Sequence, residues 1–135
     1  MGQCDTIRLN RPKERQRPGT LEYTVGWICA LPVELAAAQA MLDEEHAELP
    51  REKFDPNLYT LGRIGEHNIV INCLPAGHMG IGPAAAGAAR MVSRFRSIRF
   101  GLMVGVGGGV PSPTVDVRLG DVVVSHPFRQ HGGVV

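Results

Sequence analysis

The sequence predicts an α/β fold in which a mixed, largely parallel central sheet is flanked by helices. Three observations carry that expectation. A continuous apolar, β-branched run, Tyr23-Thr-Val-Gly-Trp-Ile-Cys-Ala30, passes directly into a helix-patterned segment beginning at Pro32. Two further apolar runs are separated only by Gly65-Glu66-His67-Asn68, which predicts a hairpin and so an antiparallel pair beside parallel neighbours. A glycine-rich loop, Gly77-His-Met-Gly-Ile-Gly-Pro83, then opens a second helix that leads into Phe100-Gly-Leu-Met-Val104.

The elements follow in chain order. Tyr23 to Ala30 has the length and composition of a strand buried on both faces. Pro32 occupies a helix-start position, and Val33, Ala36, Ala37, Ala40 and Met41 recur at helical spacing up to the acidic stretch Asp43-Glu44-Glu45. His46 to Asn57, with two prolines and many charges, reads as a surface loop. Tyr59 to Ile64 and Ile69 to Leu74 are the hairpin strands. Pro83 suits the first helical position, and Ala84, Ala88, Met91, Val92 and Phe95 form one apolar stripe. Phe100 to Val104 reads as a buried strand, and Leu119-Gly-Asp-Val-Val-Val-Ser125 as another after a Pro-rich loop. The chain stops without a closing helix, so the domain is expected to be incomplete.

Composition bounds the function. At 135 residues one core is expected, rich in Ala, Val and Ile because only seven aromatics are present. Lys and Arg number 14 against 13 Asp and Glu, and outside the leader they are interspersed, so no electrostatic footprint for nucleic acid exists. The three cysteines, Cys4, Cys29 and Cys73, include no CxxC pair, which implies neither a disulfide framework nor a zinc site and fits a reducing, cytoplasmic compartment. No apolar run approaches the roughly 18 residues of a membrane span. Residues 1–20 form a polar leader around Arg11-Pro12-Lys13-Glu14-Arg15-Gln16-Arg17-Pro18, read as a solvated, disordered tail with a basic localisation signal as the alternative. Residues 21–135 hold the fold.

Three features converge at the C-terminal edge of such a sheet, where open α/β folds bind ligands. Glu34, one turn past the first strand, suits a general acid or base in the crevice, or equally a first-turn carboxylate favouring the helix dipole. The Gly80-Ile81-Gly82 turn offers backbone N–H groups to a phosphate, hydroxyl or carboxylate, or merely lets the chain turn tightly. Gly105-Val-Gly-Gly-Gly109 leaves backbone without side chains at a strand end, where a ring can approach. It is neither a dinucleotide fingerprint, since Val110-Pro111 and no helix follow, nor a Walker A loop, since no Gly-Lys-Ser/Thr is present. His78 reads as a solvated loop histidine, and Asp121 as a turn residue as readily as a functional one. Trp27 and Cys29 read as core, and Cys73 as a small buried hydrophobe, since no histidine partner is placed beside it.

Taken together, Val25-Gly-Trp-Ile-Cys-Ala-Leu-Pro-Val-Glu34, Gly80-Ile-Gly82, Met103-Val-Gly-Val-Gly-Gly-Gly-Val110 and Leu119-Gly-Asp-Val-Val-Val-Ser125 resemble, in order and spacing, the nucleoside phosphorylase/nucleosidase superfamily, which includes the purine and uridine phosphorylases. Tyr59-Thr-Leu-Gly-Arg-Ile-Gly-Glu-His-Asn-Ile-Val70 and Ile98-Arg-Phe-Gly-Leu-Met-Val-Gly105 most resemble its fungal type, an N-terminal module of multidomain proteins carrying NTPase, ankyrin or TPR regions. The resemblance runs from Tyr23 to Val135.

The resemblance implies cleavage of the N-glycosidic bond of a purine nucleoside or nucleotide. By it, Glu34 matches the glutamate that positions the attacking water in the family's nucleosidases. Gly80, Ile81 and Gly82 match the loop beside that water and the ribose, and Gly105, Val106 and Gly107 complete the expected substrate-binding set. The family's phosphorylases bind phosphate through an Arg and a Ser where this sequence has Met103 and Val106, which offer an oxyanion only apolar contact. Hydrolysis is therefore expected over phosphorolysis. The family's base-stacking segment, its Met-Glu ribose grip and its leaving-group Asp belong to a C-terminal half beyond these residues, so this chain alone is expected to be incomplete as an enzyme. Losing acid catalysis alone costs roughly 10²–10⁴ in rate.

No cofactor and no metal are expected. The expected partners are a small-molecule nucleoside or nucleotide and further C-terminal domains, with neither nucleic acid nor membrane. Self-association through exposed apolar sheet edges is expected too. The rival reading is a non-catalytic nucleoside-binding or sensing module of a larger signalling-type protein.

Overall fold

The first described element is a short 3-10 turn, Thr20–Glu22, which starts just inside the expected leader. A computed structural model describes residues 18–78, 80–126 and 129–130. The rest of the leader, Met79 of the glycine-rich loop and the residues from 131 onward lie outside the described residues.

Strand β1 (Val25–Cys29) is shorter than its apolar run, and all five of its residues are buried. It lies between β4 (His67–Cys73) and β5 (Phe100–Met103), parallel to both, in a sheet that continues beyond β4 with β3 (Tyr59–Ile64) and β2 (Glu44–Glu45), in the order β2-β3-β4-β1-β5. Covering on both faces is what requires an unbroken apolar run there. The hairpin forms as expected: β3 (Tyr59–Ile64) pairs antiparallel with β4 from Ile64 opposite His67 to Tyr59 opposite Asn72. Its turn is only Gly65-Glu66, tighter than the four residues expected, with Gly65 at φ 56°, the left-handed region that favours glycine. The fold is thus mixed α/β, with three parallel strands and an antiparallel extension.

That extension includes a strand the sequence hid. Glu44 and Glu45, read as the end of a helix, form β2 and pair antiparallel with Arg63 and Gly62. The expected surface loop after them begins in the core: His46 is buried, and its Nδ1 lies 2.8 Å from the Tyr23 hydroxyl.

Helix α1 (Pro32–Ala40) starts at the proline as predicted, but a different face is buried. Leu35, Ala38 and Leu42 pack on the sheet, whereas Val33 and Met41 point outward. With alanines on every side, periodicity alone left the face undefined. Helix α2 (Ile81–Arg94) begins two residues before Pro83, with Gly80 as its N-cap at φ 117°. Proline is tolerated there because the first four helical N–H groups have no intrahelical acceptor. Ala84, Ala88, Met91 and Phe95 form the packed stripe, while Val92 is about half exposed.

The sheet divides two cores by strand alternation. Val25, Trp27, Cys29, Ile69 and Ile71 face α1 with Cys73 packed beside them. Ile28, Leu61, Val70 and Leu74 face α2, joined by Tyr23 and Phe95. Phe95 is fully buried with Tyr23 and Tyr59 edge-on to it, at 5.5 and 5.2 Å between ring centroids.

Two expectations fail on the far side of β1. Strand β5 is exposed throughout, not buried, because it has a single neighbour and forms the sheet edge. Leu119 to Ser125 is not a strand: after a turn at 119–120 it runs as exposed coil, with Val122, Val123 and Val124 in solvent. An apolar run becomes a strand only when a partner accepts its backbone and a layer covers its side chains. Among the described residues neither does.

Candidate functional site

Glu34 sits at N3 of α1, immediately beyond the C-terminal end of β1. Its Oε2 accepts from the backbone N–H groups of Ala30 and Leu31, each at 2.9 Å, so the carboxylate caps its own helix. Its Oε1 accepts from the backbone N–H of Val106 at 2.8 Å. That bond links the α1 entrance to the loop leaving β5.

The fit is close at Gly105. A Cβ on that residue would lie 2.8 Å from Glu34 Oε1 and 3.3 Å from its Cδ. The glycine thus lets the carboxylate lie on the main chain. The N–H of Val106, then those of Leu31 and Ala30, favour the charged form and hold the Glu34 carboxyl below its ordinary pKa, against a small opposing effect of burial. Glu34 is therefore a carboxylate at neutral pH. A carboxylate offers about four acceptor positions, and these three donors leave one on Oε1 for a water or hydroxyl.

Of the seven residues singled out in the sequence, the structure brings Glu34, Gly105 and Val106 together. Gly80, Ile81 and Gly82 stand at the N-terminus of α2, with Ile81 almost fully exposed. No hydrogen bond among the described residues joins that turn to Glu34. Gly107 is exposed, with open space where a Cβ would stand. Met103 and Val106 both present their side chains to solvent. Asp121 serves the turn reading, accepting from the Arg118 N–H at 2.8 Å.

A cavity of about 570 Å³ lies elsewhere. It opens where β4 ends and β3 begins, between Leu35 of α1, the 48–58 segment, Cys73, Leu74 and Arg94. None of the seven residues lines it. Arg94, in the last turn of α2, holds its wall: it donates to the Pro50 carbonyl at 2.6 Å, pairs with Glu52 at 3.3 Å and Asp55 at 3.7 Å, and lies over the Tyr59 ring. The Tyr59 hydroxyl donates to Asp55 at 2.8 Å and accepts from Asn57. Burial raises the Tyr59 pKa well above its ordinary value, so it stays a neutral donor. Sequence pattern did not flag this cluster, since its members come from a loop, a strand and a helix end. A second cavity, about 240 Å³ and mostly apolar, separates α2 from β5. Among the described residues no group of three or more His, Cys, Asp or Glu side chains is placed to hold a metal ion, and no helix is long and apolar enough to cross a membrane.

The chain is similar to a nucleotide-binding leucine-rich repeat (NLR)-like protein of Hyaloscypha variabilis (strain UAMH 11265 / GT02V1 / F), with 56% identity over 115 residues. The match covers 84% of this chain and 11% of that relative, so the chain spans about a ninth of its length. No family model matches the chain, and no solved structure matches it significantly.

Proposed function

We propose that this chain forms part of a nucleoside phosphorylase-like domain that cleaves the N-glycosidic bond of a purine nucleoside or nucleotide by hydrolysis, within a larger multidomain protein. The carrying observation is the bond from Val106 N–H to Glu34 Oε1. It joins two motifs of the resemblance at the C-terminal ends of parallel strands, where such folds bind ligands. Glu34 then positions the attacking water through its remaining acceptor site, as a fixed anion and not as a strong base. Met103 and Val106 offer no ligand to phosphate, which favours water as the nucleophile.

A second reading has specific support: a nucleoside-binding module without turnover. The similar protein is named NLR-like and is about nine times longer than the matched segment, and three of the Glu34 acceptor positions are occupied by the chain's own backbone. Incubating the full-length protein with adenosine, methylthioadenosine and ATP, with and without phosphate, separates the readings. Free base without phosphate supports hydrolysis, strict phosphate dependence overturns it, and calorimetric binding with no base released establishes the module reading.

A further inference from the structure

Cys29 and Cys73 end adjacent parallel strands and stand opposite each other in the β1–β4 register. Both face α1: Cys29 belongs to that core, with Cys73 packed against it. The backbone is tied at the same point, since Leu74 N–H donates to the Cys29 carbonyl at 2.9 Å. Neighbouring strands lie about 4.8 Å apart, inside the Cα separation of about 4.4–6.8 Å that a disulfide spans. The two thiols differ in access. Cys29 is 1% exposed, whereas Cys73 is half-buried and lines the 570 Å³ cavity.

We propose that Cys29 and Cys73 form a peroxide-responsive dithiol, in which a small peroxide entering the cavity converts the pair to a cross-strand disulfide. The Cys73 sulfur attacks a peroxide oxygen, the O–O bond breaks, and one water and a Cys73 sulfenic acid result. The Cys29 sulfur then attacks the Cys73 sulfur. The S–O bond breaks as the S–S bond forms, and the sulfenic oxygen leaves as water with the Cys29 proton. In sum the two thiols lose two protons and two electrons, and hydrogen peroxide becomes two waters.

The order of attack follows from the surroundings. Burial, then the adjacent Cys73, push the Cys29 thiol up to about 12, so it stays protonated and does not react first. The Cys29 thiol donates to the Asn72 carbonyl at 3.8 Å, whereas Cys73 meets the cavity. The disulfide would tether β1 to β4 immediately before Ala30 and Leu31, whose N–H groups hold Glu34. Thiol chemistry would thereby reach the Glu34 site through the backbone.

The test is a non-reducing peptide map of the full-length protein carrying Cys4→Ser, treated with hydrogen peroxide under native conditions. The expected product is a Cys29–Cys73 cross-linked peptide, lighter by two hydrogens than the reduced pair and restored by dithiothreitol. In Cys29→Ser, Cys73 should be trapped as a sulfenic acid by dimedone; in Cys73→Ser, Cys29 should remain a thiol. The wild-type map decides the question even where a variant misfolds. Recovery of Cys73 as sulfinic acid or as free thiol, with Cys29 unlinked, overturns the proposal.

Discussion

Glu34 and Val106, 72 residues apart, are joined by a 2.8 Å hydrogen bond across a glycine that has no room for a methyl group. The same carboxylate also accepts from Ala30 and Leu31, so one side chain closes the end of β1 onto the end of β5.

This bond is charge-dependent. The folded pKa of Glu34 is depressed, so its stabilising contribution is present above the ordinary Glu value of roughly 4.3 and is lost as pH falls through the folded pKa. Glu34→Gln should therefore lower Tm at neutral pH, with the gap to the parent narrowing below about pH 4. A gap of constant size from neutral to acid would contradict the assignment.

Asn72 is buried on the α2 side of β4, and both polar atoms of its side chain lack a hydrogen-bond partner among the described residues. Desolvating such an amide costs about 1–3 kcal/mol. Asn72→Val removes that cost and suits a strand, so urea denaturation should show a gain of about 1 kcal/mol or more. Unchanged or lower stability would mean that the amide is satisfied in solution.

Gly62 stands opposite Glu45 where β3 pairs with β2. A Cβ there would meet the Glu44 carbonyl oxygen at 2.6 Å and the Leu42 side chain at the same distance. The carbonyl is backbone and cannot swing away, so Gly62→Ala should cost about 1–3 kcal/mol and release β2. Amide exchange at Asp43 and His46, whose N–H groups donate to the Arg63 and Leu61 carbonyls, should speed up while β1 stays protected. Uniform exchange across the sheet would show instead that β2 and the core open together.

Much of this fold is local and was therefore legible. The β1–α1 unit announces itself through an apolar run that meets a proline, and the hairpin through two runs around Gly65. What escaped depends on distant partners. Glu44 and Glu45 look like a helix end until Arg63 and Gly62 stand beside them, and Val122 to Val124 look like a strand although no described neighbour accepts them. The site divides in the same way. The position of Glu34 was readable from one turn of helix, but not its bond to Val106. The Cys29–Cys73 pairing follows only once β1 and β4 are known to be adjacent.

Glu34 carries the functional account, so the decisive measurement is free-base release by the full-length protein and by its Glu34→Gln variant, without phosphate, at neutral pH. Phosphate-independent release by the parent is expected, with a loss of roughly 10²-fold or more in the variant, the effect of removing a group that positions the nucleophile. Equal turnover by the two proteins, with both folded, would contradict it.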